Sequence, residues 1–115
     1  MAKIKTHCED CIRLLGKPYE EVHKWLDFYA KQYNPYLYLE FHRQFRHTDK
    51  ALKEQFKQWG FYHQQAAKIH IIRDNELYVL NKEFDKIEVE EINELYEKCK
   101  QYLHKGTIDK PIKYM

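Results

Sequence analysis

Three glycines and three prolines in 115 residues leave this chain few places to turn. Glycine supplies positive φ and proline presets tight turns, so their scarcity argues for long helices and against a β-sandwich with many short connections. The length suits one domain with one modest core. We therefore expect an all-α, single-domain bundle of five or six helices spanning residues 1–115, packed ridge into groove.

Hydrophobic periodicity divides the chain further. Thr6 with Glu9 three residues on fits a capping box for a first helix that ends at Gly16. Its face would carry Cys8, Cys11, Ile12 and Leu15. Pro18 opens a second helix, with Glu20 and Glu21 favourable against the helix dipole and Val22, Trp25, Leu26, Tyr29 and Tyr33 as its apolar stripe. Asn34-Pro35 breaks it. A third helix over 36–47 has Leu37, Phe41 and Phe45 stepping by four, and a fourth, capped by Thr48 or Asp49, turns Leu52, Phe56 and Trp59 inward and stops at Gly60. A fifth runs from Phe61 to Asp74, and small Ala66 and Ala67 would let a neighbour approach closely. Residues 77–80 are too short to assign by periodicity and read as either a strand or an extended loop. Val89, Ile92, Leu95, Tyr96, Cys99, Tyr102 and Leu103 mark a last helix over about 87–104, followed by an extended tail over 106–115.

Composition limits the partners. Net charge is +2 with both signs interleaved, so no basic stripe invites nucleic acid. The sequence shows no apolar run long enough to span a membrane and no basic-then-apolar leader pattern, which leads us to expect a cytoplasmic protein with reduced thiols. Aromatics make up 16% of the chain, ten of them tyrosines. Trp25, Tyr29, Tyr33, Tyr36 and Tyr38 could stack bases, but without interleaved basic residues they read as core and rim.

The chemistry concentrates between His23 and Asp74, where five of the seven histidines fall. His23-x-x-x-Asp27 and His70-x-x-x-Asp74 each place an imidazole and a carboxylate one helical turn apart, about 5–6 Å between Cβ atoms. Neutral imidazoles and carboxylates are what a divalent metal takes. The same pair also orients a histidine as a general base, or is an ordinary hydrogen bond along a helix. His42 borders the apolar face of the third helix, and His47, five residues on, points away from it. Arg43 and Arg46 beside them could hold an anionic substrate or pair with Glu40 and Glu54. His7 joins the set if the first helix packs beside the second. His7-Cys8-x-x-Cys11 is half of a zinc motif, but only Cys99 remains to complete it, so the cysteines read as buried thiols. Glu20-x-x-His23 is likewise one half of a di-iron bundle motif whose other half is missing.

Taken in order, His7, Gly16, His23-x-Trp25-x-Asp27, His42-Arg43, His47, Gly60 and His70-x-x-x-Asp74 resemble a family of small bacterial helical proteins of unknown function. The similarity covers about residues 5–75. Leu26 stands where the pattern has an aromatic, and the single His47 where it tends to have a pair. The resemblance implies no activity, but it implies that these polar residues work as a set. A fainter similarity connects the chain to HD-type metal phosphohydrolases, although the adjacent His-Asp dipeptide is absent.

Two functional expectations follow. One is a divalent metal site (zinc, iron, manganese or nickel) with His23, His42 and His70 as ligands and Asp27, Asp74, His7 and His47 as further ligands or orienting groups. In that case a metal-activated water would attack a phosphate or amide, with Arg43 holding the substrate. The other is a non-enzymatic interaction module whose His/Asp pairs form a hydrogen-bond network, and whose partner is another protein or a second copy of the chain.

Overall fold

A computed structural model describes residues 3–27 and 49–106. Within them are six α-helices and no strand: α1 (Ile4–Leu15), α2 (Glu20–Leu26), α3 (Asp49–Trp59), α4 (Phe61–Asp74), α5 (Glu76–Val79) and α6 (Ile92–Gly106). Two 3-10 turns, Phe84–Lys86 and Val89–Glu91, link the last two helices. The all-α, single-domain expectation holds. No helix among the described residues is long and apolar enough to cross a membrane. The third helix expected over 36–47, the aromatic residues Tyr29 and Tyr33, the side chains of Phe56, Tyr102 and Leu103, and the expected tail lie outside the described residues.

The bundle is arranged around α4, which packs against α1, α2, α3 and α6. Its sequence explains this position. Gln65, Ala66, Ala67, Ile69, His70, Ile71 and Ile72 are all buried, so apolar residues occur around most of the helix instead of along one stripe. A helix apolar on most sides belongs in the interior. Full burial of each isoleucine contributes about 1.5–3 kcal/mol relative to exposure. From α6, Ile92, Leu95, Tyr96 and Cys99 face inward, and from α2, Val22 and Leu26 do. Burial also keeps the Cys11 and Cys99 thiols protonated, with Cys99 pushed up to about 12, and all three cysteines are free.

Two arginines fix α1 to this body. Arg13 donates to the carbonyls of Phe84 and Ile87, both at 2.9 Å. Arg73 on α4 forks onto both oxygens of Asp10, at 2.8 and 2.6 Å, and lies 4.0 Å above the Phe84 ring. A bidentate guanidinium–carboxylate pair sets orientation as well as distance. It therefore sets the rotation of α1 and the direction in which His7, one turn before Asp10, points.

Several helix boundaries differ from expectation. α1 begins at Ile4, with extended Lys3 as its cap, so Thr6 lies inside the helix and caps nothing. α2 begins at Glu20 after Tyr19, which takes a left-handed φ of 50°, so Pro18 precedes the helix instead of opening it. Residues 76–79 form one short helix, with only Leu80 extended, and so residues 77–80 form no strand. Val89 sits in a 3-10 turn, and α6 starts three residues later. There Glu91 accepts the Glu88 N–H at 3.0 Å and thus stabilises the turn that leads into the helix.

Gly16 ends α1 as expected. At φ +89° its N–H reaches the carbonyls of Cys11 and Ile12 at 3.1 and 3.0 Å. A Cβ there would meet nothing within 4 Å, so substitution costs backbone strain alone. We expect Gly16→Ala to lower unfolding free energy by about 1–2 kcal/mol, read as a shift in the denaturation midpoint without a change in slope.

Candidate metal centre

Three imidazoles and two carboxylates meet where α1, α2 and α4 converge. His7 comes from α1, His23 from α2, Asp27 from the C-cap of α2, and His70 and Asp74 from the second half of α4. The three histidines have no exposed surface, Asp27 is 5% exposed, and the Asp74 side chain is fully enclosed. Polar groups this deep must be matched to one another, because an unmatched one costs about 1–3 kcal/mol.

His70 is the hub. Its Nε2 lies 3.1 Å from Asp27 Oδ1 and 3.3 Å from Asp74 Oδ2. Its Nδ1 lies 3.0 Å from His23 Nδ1, and His23 Nε2 lies 3.0 Å from the Pro18 carbonyl. Those contacts dictate the protons. The carbonyl only accepts, so His23 carries its hydrogen on Nε2 and presents a bare Nδ1. His70 must then donate from Nδ1 to His23 and from Nε2 to Asp27, which makes it an imidazolium. Burial works against that charge, but the Asp27 hydrogen bond and the Asp74 carboxylate outweigh it and raise the His70 pKa to about 9. Burial, reinforced by the His70 and His7 charges, lowers His23 to about 3. Burial and the His70 charge also lower His7. Burial would raise Asp74, yet its contacts with His7 and His70 hold it well below the usual carboxylate range.

Ring geometry separates two kinds of contact. The His23 and His70 planes differ by 17° and their centroids are 5.2 Å apart. A 3.0 Å nitrogen separation is close to the shortest that centroid distance permits, so both nitrogens lie on the line joining the rings. Their lone-pair directions are collinear, which suits a shared proton. His7 instead stacks face to face on His70, with centroids 3.6 Å apart and planes 13° apart. His7 Nε2 stands 3.3 Å from Asp74 Oδ1, off the line a hydrogen bond needs, and neither ring nitrogen has a hydrogen-bond partner among the described residues.

Two sets of donor atoms are close enough to share a cation: His7, His23 and His70, and Asp27, His70 and Asp74. Within each set the atoms lie within 4.8 Å of one another. No cysteine belongs to either set. The structure thus brings together His7, His23, Asp27, His70 and Asp74 from the expected residues, while His42, Arg43 and His47 lie outside the described residues. His63 does not join them. It pairs with Glu21 at 3.0 Å on the surface, edge-on to Tyr19 and Trp59. Asp27 turns to His70 across the helix interface, so the expected pairing of neighbours one turn apart is seen at His70 and Asp74 alone. Sequence reasoning missed the Pro18 carbonyl, which no side-chain pattern can signal, and Asp10, whose three-residue spacing from His7 was visible.

No protein-family model matches the chain, and no curated protein or solved structure matches it either.

The proton inventory fixes a pH profile for the protein held in chelator. Above about pH 6.5 the unfolded chain releases the His70 proton while the native state keeps it, so stability falls toward pH 9. Below about pH 6.5 the unfolded chain protonates His23 and His7 while the native state resists, so stability falls toward acid as well. Thermal melting should therefore peak near pH 6.5, with a loss of roughly 3 kcal/mol by pH 9 from His70. A melting temperature that climbs steadily from pH 6.5 to 9 would contradict the imidazolium.

Proposed function

We propose that this chain is a metal-binding module, holding a divalent transition ion at His70 Nε2, Asp27 and Asp74. The observation that carries this reading is the donor spacing on the Nε2 edge of His70. The 3.1 and 3.3 Å separations there are near the roughly 3.3–3.4 Å between ligand atoms of a tetrahedral site with bonds of about 2.0–2.1 Å. The ion takes the place of the His70 Nε2 proton. One imidazole with two carboxylates suits manganese, iron or zinc.

The Nδ1 edge supports a different role. The collinear His23 and His70 nitrogens suit a proton and leave no room for an ion at normal bond lengths. His70 keeps Nδ1–H and donates it to His23, which donates in turn to the Pro18 carbonyl. An outer chain of this kind orients a ligating imidazole and sharpens its basicity. In this reading His23, expected to be a ligand, is a positioning residue. The stacked His7 cannot share an ion with His70, because an ion in the plane of one ring lies out of the plane of the other.

Every donor is buried, and two surface hollows, one between Asp49, Lys68 and Tyr96 and one beside Leu77 and Phe84, are lined by other residues. Burial supports an ion that ties the end of α2 to α4 over one that meets a substrate. A hydrolytic role would draw on His42, Arg43 and His47. A second reading has its own support: with both His70 nitrogens already engaged, the cluster also works as a metal-free hydrogen-bond network that sets helix register.

Melting the protein with and without added manganese, iron(II) or zinc decides between them. A site saturated a hundredfold above its dissociation constant adds about 2.7 kcal/mol. That should raise the melting temperature by about 5–15 °C, reversed by chelator. No shift with any of the three ions would remove the metal reading and leave the network.

A further inference from the structure

The stacking of His7 on His70 has a second consequence, which rests on the single-ion reading above. A buried imidazole with neither nitrogen in a hydrogen bond is costly, and His7, at zero exposure, has no such bond among the described residues. Its Nε2 is not directed at random. It lies 3.3 Å from Asp74 Oδ1, while His70 Nε2 lies 3.3 Å from Asp74 Oδ2. Two nearly parallel rings, 3.6 Å apart, thus address the two oxygens of one carboxylate. A single ion cannot lie in both ring planes. Two ions can, one in each plane, with Asp74 bridging them.

We propose that the centre is dinuclear. The first ion is held by His70, Asp27 and one Asp74 oxygen, and the second by His7 Nε2 and the other Asp74 oxygen, with water completing its shell. The ring separation matches the chemistry, since carboxylate-supported ion pairs sit about 3.5–4 Å apart. The same rule explains why the stack is tolerated in the interior. Each ring keeps one ion in its own plane, and the bridge shares the negative charge of Asp74 between them.

The arrangement makes the two positions unequal. The first has three protein donors, from α2 and α4. The second has two, and one of them belongs to α1. The second ion should therefore bind more weakly and load later, and it would couple α1 to the rest of the site.

Manganese loading of the full chain tests this. Titration followed by elemental analysis should give two ions per chain, the second bound more weakly. The loaded sample should show the paramagnetic resonance spectrum of an exchange-coupled pair. His7→Ala should bind one ion per chain and show the spectrum of an isolated ion. One isolated ion per wild-type chain would overturn the dinuclear proposal and leave the single-ion reading standing. Two uncoupled ions would also overturn it, since the second would then lie elsewhere. No bound manganese, with iron(II) and zinc likewise unbound in the same titration, would remove both. The wild-type result decides even if His7→Ala fails to fold.

Discussion

A charged imidazole with no exposed surface is tolerated only if both its N–H groups are met, and His70 meets that condition through three residues on two helices. Asp27 and Asp74 stand against Nε2, and His23 accepts from Nδ1. The buried ion pairs are not a source of cheap stability, because desolvation consumes much of the attraction. What they do is select an arrangement. If α2 slid or rotated against α4, His70 would lose His23 and Asp27 together, leaving a buried charge that costs several kcal/mol.

The remainder of the fold serves that junction. α4 is apolar on most of its surface from Gln65 to Ile72 because neighbours wrap that stretch, and this burial lets His70 and Asp74 lie in the interior. Small Ala66 and Ala67 allow close approach, as the sequence suggested. The Arg73–Asp10 fork sets the rotation of α1 and thereby positions His7 over the His70 ring. An ion-pair lock between α1 and α4 is thus indirectly part of the site. Under the proposed metal binding, displacement of one proton from His70 Nε2 would convert the same framework from a network held by hydrogen into one held by a cation.

Much of this was legible in the residues and some was not, for physical reasons. The span of α4, Phe61 to Asp74, can be read directly, since Gly60 and a dense apolar pattern bound it. The His70–Asp74 pairing follows from helical spacing. The pairing of Asp27 with His70 does not, because it depends on how two helices cross, and periodicity carries no crossing angle. His7 could be named as a candidate, but its stacked position depends on the Arg73 fork. Thr6 failed as a cap because the helix starts three residues earlier, at Ile4, and Leu77–Leu80 failed as a strand because no partner edge exists among the described residues to pair it. The four-residue apolar run could be helix or strand locally, and tertiary context decided it.

Long-range proton–nitrogen spectra of the histidine side chains, recorded at pH 7.5 before and after zinc is added, would read the protonation and ligation of His70 without intermediaries. We expect His70 to be doubly protonated without metal and to keep Nδ1–H while Nε2 takes the zinc. His23 should remain a neutral Nε2–H ring throughout. A His70 that is neutral in the metal-free protein, or zinc bound at His70 Nδ1 together with His23, would contradict the account.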